Sequence, residues 1–318
     1  MTQALGPRRT KLTGNGGGAG VKGAAGGTRG AGSAIEPEVA TKPTRLDVAL
    51  VSRGLATSRE KGKAAIEAGL VFVNGKPADK PSLTVGPADV VEMRGEALRY
   101  VGRGGLKLEK ALACFGIDLT GRRCLDIGSS TGGFTDCMLQ TGAAHVFSVD
   151  VGHGQLHPAL SSDPRVTPME GTDIRNVETA HLGGPVDFAA TDVSFIPLGL
   201  VLPHIARLVK PDGTAVCLIK PQFEAGPENV GKRGIVKDPR VHHEVIRRVA
   251  RQAREAGLAT HDLDFSPVRG GDGNIEYLLH LRAPGVAATA QEARAEADAR
   301  FDAAIAGVVE RAHAAAAG

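Results

Sequence analysis

Between residues 102 and 284, short apolar runs alternate with amphipathic stretches, and no other feature constrains the fold as tightly. Cys124-Leu125-Asp126-Ile127, His145 to Asp150, Val186 to Asp192 and Ala215 to Lys220 have the length and apolar content of buried strands. Phe134 to Gln140, Leu200 to Val209 and His242 to Ala256 carry helical patterns, the last stopped by Gly257, and Ile275 to Leu281 closes the series as a strand. Strand and helix taken in turn predict an α/β fold of Rossmann-like kind, a mostly parallel sheet with helices on both faces. Aromatic residues make up only 3% of the chain and Trp is absent, so Leu, Val, Ile and Ala must fill that core.

The stretch before it reads as a smaller α+β unit. Leu46, Ala49, Leu50 and Val51 share a helical face that Gly54 ends. Thr57 and Glu60 stand at capping-box spacing ahead of a second helix with Ala64, Ala65 and Ala68, stopped at Gly69. Val71 and Val73 run into Asn74-Gly75, a hairpin-turn pair, and Val85 and Asp89 to Met93 supply further strand material. With its connector near Leu98 to Val101, this unit is expected over 44–101, ahead of the larger domain at 102–284. Residues 1–43 are rich in Gly and Ala and lack periodic apolar positions, the composition of a disordered tail. Its Arg8, Arg9, Lys11, Lys22, Arg29 and Lys42 outnumber Glu36 and Glu38, enough for a weak, salt-sensitive attraction to RNA. Residues 285–318 carry an Ala-rich helix whose thin apolar stripe, Phe301, Ile305, Val308 and Val309, leaves open whether it docks or frays.

Bulk composition narrows the function by exclusion. A formal charge of +3 announces no nucleic-acid binding by the chain as a whole. Cys114, Cys124, Cys137 and Cys217 lack the paired spacing of zinc or redox sites and read as small buried hydrophobes. His153, His157, His242 and His243 find no third ligand at convincing spacing, so no metal is expected. No apolar run approaches the ~18 residues of a membrane span, and the N-terminus lacks a signal-type apolar segment. A cytoplasmic monomer without membrane contact is the expectation.

The stretch Asp126, Ile127, Gly128, Ser129, Ser130, Thr131, Gly132, Gly133, Phe134 follows a strand and opens a helix. Glycines there let the backbone approach a ligand, and the helix offers its first amides. The dinucleotide spacing and the Lys-Ser/Thr ending of a P-loop are both missing, which disfavours phosphate binding. Asp150, ending the next strand at the ~20-residue spacing of a ribose-binding acid, suits an adenosine cofactor. Asp173, after a third strand, is placed to meet the adenine amine. Together they point to S-adenosylmethionine.

Four charged residues stand in short, unusual segments: Lys107 in Gly104-Gly105-Leu106-Lys107-Leu108, Asp192 in Thr191-Asp192-Val193-Ser194, Lys220 in Leu218-Ile219-Lys220-Pro221, and Glu276 in Asn274-Ile275-Glu276-Tyr277. Asp192 and Lys220 end apolar runs, where a buried charge needs a partner or a job. In the small unit, Arg59 and Lys63 lie one helical turn apart, with Arg45 and Lys80 expected nearby. A basic face of this kind is by itself compatible with simple solvation.

The string from Arg45 to Pro81, with Ser58-Arg59-Glu60-Lys61 and Ala68 to Lys76, resembles the S4 RNA-binding domain. The order of that module, then Tyr100-Val101-Gly102-Arg103-Gly104-Gly105-Leu106-Lys107-Leu108, then Asp126 to Asp136, then Lys220-Pro221-Gln222-Phe223-Glu224 and Gly231 to Pro239, is similar to the TlyA family. These are ribosomal RNA cytidine 2′-O-methyltransferases with an FtsJ-like catalytic domain, sometimes labelled haemolysins. The resemblance implies an S-adenosylmethionine-dependent enzyme acting on 16S RNA, 23S RNA or both, with structured RNA held by Arg45, Arg59, Lys63, Lys80 and Arg103. It also implies a catalytic tetrad of Lys107, Asp192, Lys220 and Glu276. In that reading Lys220 is the general base, its charged form disfavoured by burial and by the Lys107 cation. Asp192 orients it, and Lys107 and Glu276 complete the network. Two competing readings are a non-catalytic RNA-binding or ribosome-assembly factor that keeps the fold and, more remotely, a membrane-lytic protein.

Overall fold

The structure, a computed structural model, describes residues 43–56, 58–67, 69–93, 99–270, 273–285 and 291–317. The predicted tail therefore lies, but for Pro43, outside the described residues, as do Thr57, Ala68 and Leu98.

The small unit opens with β1 (Thr44–Arg45), α1 (Leu46–Ser52) and α2 (Arg59–Glu67). Ser58 Oγ accepts the Lys61 amide at 3.2 Å, an N-terminal cap for α2. A hairpin of β2 (Val71–Val73) and β3 (Lys76–Pro77) follows, turning at Asn74, whose φ of +52° suits the tight turn. β4 (Thr84–Val85) pairs antiparallel with β1, and β5 (Val91–Met93) with β2. Leu46, Ala49, Leu50, Ala65, Ile66, Val71 and Val85 close over one another as its core.

The larger unit begins with α3 (Gly104–Phe115) and then alternates: β6 (Arg123–Ile127), α4 (Gly133–Gln140), β7 (His145–Asp150), α5 (Pro158–Ser161), β8 (Val166–Glu170), β9 (Val186–Thr191), α6 (Leu202–Leu208), β10 (Val209–Ile219), α7 (Pro221–Glu224), α8 (Pro239–Glu255), β11 (Ala259–Phe265), β12 (Tyr277–Arg282) and α9 (Gln291–Ala317). Seven strands form one sheet in the order β11-β12-β10-β9-β6-β7-β8. The five from β10 to β8 run parallel, and β12 and β11 add antiparallel strands at one edge. β7 and β8 extend the sheet to one side of β6, while β9 and β10 extend it to the other. In open α/β sheets such a reversal leaves a crevice at the strands' carboxyl ends, where ligands bind.

Two apolar clusters cover the two faces. One joins Phe134, Cys137 and Met138 of α4 to Leu108, Ala111 and Leu112 of α3. The other joins α6 and α8 to Phe301, Ile305, Val308, Val309 and Ala312 of α9, so the C-terminal helix docks rather than frays. The expectation that all four cysteines are buried is corrected at Cys114, which is exposed. It lies in the last turn of α3, beyond the buried Leu108, Ala111 and Leu112.

Candidate active site

β6 ends at Ile127, and the chain turns at Gly128 with φ +82°. A Cβ there would stand 3.0 Å from the Asp192 carbonyl oxygen, so glycine lets this turn press against the end of β9. Ser130 also adopts positive φ, +47°, and its amide donates to Asp150 Oδ2 at 2.7 Å. The Gly152 amide donates to Asp150 Oδ1 at 2.8 Å, so Asp150 ties the turn to the end of β7. α3 and α4 begin almost in contact. A Cβ on Gly133 would meet the Gly105 nitrogen at 3.0 Å, and one on Gly105 would strike the Tyr100 ring. The glycines of both segments permit that approach, which brings the first turn of α3 over the crevice.

Four charged side chains converge there. Asp192 follows β9, Lys220 follows β10, Glu276 precedes β12, and Lys107 descends from α3. Because β12 runs antiparallel to β10, with Tyr277 opposite Ile219, the start of one strand lies beside the end of the other. Lys107 Nζ lies 2.7 Å from Glu276 Oε2 and 3.3 Å from Asp192 Oδ2. Lys220 Nζ lies 2.6 Å from Asp192 Oδ1 and donates to Ser194 Oγ at 2.9 Å. Asp192 thus bridges the two ammonium groups, one oxygen to each.

The electrostatics follow from burial and pairing. Burial opposes the Lys107 charge, but the Asp192 and Glu276 carboxylates outweigh it and hold the ammonium above the usual lysine value. Burial likewise penalises Asp192, yet Lys107 and Lys220 keep its carboxyl below the usual range. At Glu276 burial prevails over Lys107, and its pKa rises.

These side chains and the glycine turn line one pocket of about 280 Å³. Of the residues predicted to hold a cofactor, Gly128, Ser129, Ser130, Thr131, Gly133 and Phe134 line it. Four others do not. Asp126 is fully buried behind the turn, where its Oδ2 accepts the Thr135 amide at 2.9 Å and the Thr135 hydroxyl at 2.6 Å. Burial, only partly offset by these bonds, pushes its pKa up to about 7. Asp126 is therefore a strut joining β6 to α4. Gly132 faces the Leu156 and Leu160 side chains. The Asp150 carboxylate is held by the two amides, and Asp173 pairs with Arg175 at 2.6 Å while capping a short 3-10 turn.

The pocket fits an adenosyl cofactor on two counts. Gly128, at φ +82°, opens the turn where a Cβ would stand only 3.0 Å from the Asp192 carbonyl oxygen, and the buried Ser129 Oγ has no hydrogen-bond partner within the protein.

In the small unit, Arg45 and Arg59 both meet Asp47, each at 3.0 Å, and hold its carboxyl down at about 2. Lys63 and Lys80 are exposed. Arg103 is exposed at the pocket rim of the larger unit.

The pocket also contains Ser194, Val268, Arg269 and Gly270, which sequence reasoning missed. Ser194 sits two residues past Asp192, and that proximity was a usable signal; the 268–270 loop carried none. Phe195, 90% exposed with φ +64°, lies against Phe223 with ring centroids 4.9 Å apart. Among the described residues, His261, Asp262 and His280 bring possible metal-ligand atoms within 4.8 Å of one another, and none of the four histidines weighed from sequence belongs to that group.

Fold and pocket together define a methyltransferase of the FtsJ-like class preceded by an S4 domain. The FtsJ-like methyltransferase family matches residues 100–283, and the S4 domain matches residues 44–91. YqxC of Bacillus subtilis, described as a candidate rRNA methyltransferase, is 48% identical over 274 residues, covering 86% of this chain and 95% of its own. TlyA of Mycobacterium tuberculosis, a 16S/23S rRNA (cytidine-2′-O)-methyltransferase, is 44% identical over 239 residues, covering 75% and 89%. A solved structure of a candidate hemolysin from Streptococcus thermophilus aligns at TM-score 0.65 and 42% identity, covering 87% of this chain and 98% of its own. The chain belongs to the TlyA family of methyltransferases.

Proposed function

We propose that the protein methylates the ribose 2′-hydroxyl of cytidine in ribosomal RNA, of the 16S species, the 23S species or both, with Lys220 accepting the hydroxyl proton. The observation that carries this reading is the convergence of Lys107, Asp192, Lys220 and Glu276 in the pocket that Gly128 opens. The M. tuberculosis relative, named for this reaction at both RNAs, supports the substrate.

S-adenosylmethionine supplies an electrophilic methyl group on a sulfonium. Gly128 to Thr131, Gly133 and Phe134, which line the pocket, would hold it. The protein's remaining task is to position and deprotonate a weak nucleophile. Lys220 takes the proton. Asp192 fixes the direction of the Lys220 amine by its 2.6 Å contact, and Ser194 fixes it from a second side. Lys107 offsets one of the two negative charges of Asp192 and Glu276, and Lys220, once it holds the proton, offsets the other. Arg45, Arg59, Lys63 and Lys80 of the S4 domain hold structured RNA through its phosphates, and Arg103 guides the target strand at the rim.

Among the described residues no helix is long and apolar enough to cross a membrane. Lys220→Ala should abolish transfer of tritiated methyl groups to ribosomal subunits while calorimetric affinity for S-adenosylmethionine is largely kept. Near-normal turnover by that variant overturns the base assignment. Absence of cofactor binding by the wild type would instead favour a non-catalytic assembly factor.

A further inference from the structure

We propose that residues 231–237 form an arm of the methyltransferase domain that grips the RNA sugar-phosphate backbone, clamped in place by the buried side chains of Asn274 and His242. This rests on the reading of RNA as substrate.

The segment Gly231-Lys232-Arg233-Gly234-Ile235-Val236-Lys237 carries three cations and no acid. Lys232, Arg233 and Lys237 are exposed, and none forms an ion pair with a carboxylate among the described residues. Some exposed arginines of this domain do meet one: Arg175 meets Asp173 at 2.6 Å and Arg240 meets Asp238 at 2.8 Å. Three cations without carboxylate partners on one short segment can meet phosphates without first breaking an ion pair.

Such a segment would ordinarily be mobile, but here it is fastened. The Gly231 amide donates to the Ile235 carbonyl at 3.1 Å, and the Gly234 amide to the Gly231 carbonyl at 2.8 Å. Two side chains then secure both polar groups of Val236. Its N–H donates to Asn274 Oδ1 at 3.0 Å, and its carbonyl lies 3.0 Å from His242 Nε2. Asn274 Nδ2 also donates to the Gly234 carbonyl at 2.8 Å. Asn274 is 1% exposed and His242 is 0% exposed.

A carbonyl can only accept, so His242 carries its proton on Nε2. Its Nδ1 then accepts from the Tyr277 hydroxyl, 2.7 Å away. His313 of α9 approaches the same nitrogen at 3.3 Å and covers it from the C-terminal helix. Asn274 and Tyr277 flank Glu276, so the stretch that delivers Glu276 to the tetrad also holds the arm. A phosphate gripped by the arm is thereby kept in register with the reacting centre.

Wild-type protein is first tested on ribosomal subunits. If it neither binds nor methylates them, the substrate reading fails, separately from the arm. If it does, the variant Lys232→Ala/Arg233→Ala/Lys237→Ala should bind RNA more weakly. Its slope of log affinity against log salt should shrink by about 2. The loss should fall on KM for RNA rather than on kcat, with cofactor affinity kept. Wild-type RNA affinity and salt slope overturn the arm. Lost cofactor affinity, or a loss confined to kcat, overturns it too, because the segment would then belong to the pocket. His242→Phe, which keeps every charge of the arm but drops both hydrogen bonds, should raise KM for RNA. Lower thermal stability with an unchanged KM would show His242 to be structural only and would overturn the clamp.

Discussion

At the scale of single residues, the chemistry of the pocket depends on where charge is tolerated and where a Cβ is not. Asp192 and Lys220 were legible because each ends an apolar run, a placement that costs free energy unless partners are supplied, whereas Lys107 and Glu276 joined them as a tetrad only through the family resemblance. Their partners were not legible, since a 2.6 Å contact between Lys220 and Asp192 joins the ends of two different strands. Asp126 shows the opposite case. It stands in the glycine-rich motif, yet it points behind the turn to Thr135 and out of the pocket. Side-chain alternation along β6 decides this, and sequence spacing alone does not report which face a ligand will occupy. Gly128→Ala tests the steric side. At φ +82°, with the Asp192 carbonyl 3.0 Å from the new Cβ, the turn must shift, and cofactor affinity should fall on the order of tenfold. Unchanged affinity by titration calorimetry would mean that the turn does not need glycine there.

At the scale of elements, the strongly apolar strands β6, β7, β9 and β10 were readable as buried parallel strands, whereas β8 was placed only as a third strand without bounds ahead of Asp173 and β11 was not seen. β8 contains Pro168 and β11 reads Ala-Thr-His-Asp-Leu-Asp-Phe; both are edge strands, half-exposed and polar, and lack a continuous apolar run. The docking of α9 was similarly undecidable, because a thin stripe pays off only if a matching surface exists. The surface is formed with α8 and β11, and Ile305 is fully buried in it. Ile305→Ala should cost about 2–5 kcal/mol in denaturant-induced unfolding. A change below about 0.5 kcal/mol would show that α9 is not docked in solution.

At the scale of the whole molecule, stability and pH are linked through buried groups on opposite faces of the sheet. Burial holds His242 down at about 4, below its usual range. The unfolded chain then binds a proton between about pH 6.5 and 4 that the folded protein refuses. The stability His242 contributes is thus present above 6.5 and lost as pH falls toward 4, at up to about 1.4 kcal/mol per pH unit. Asp126, raised to about 7, works with the opposite sign, favouring the folded state as pH falls below 7. The two partly cancel in the wild type, so the informative quantity is a difference. The stability advantage of the wild type over His242→Phe, from urea unfolding, should be largest near pH 7 and shrink on acidification. A difference that stays constant from pH 7 to 4.5 would refute the linkage.

Local pattern determined the succession of strands and helices, the glycine-rich turn, and the out-of-place charges of Asp192 and Lys220, because periodicity, turn chemistry and buried charge are all properties of neighbouring residues. Only the tertiary structure decided that β9 and β10 lie on one side of β6, that β12 runs against β10, and that α3 descends onto their ends. Those three choices bring residues separated by as much as 169 positions along the chain, Lys107 and Glu276, to 2.7 Å. Sheet order and strand direction are settled by which apolar faces can be buried together, and that is a property of the whole chain at once.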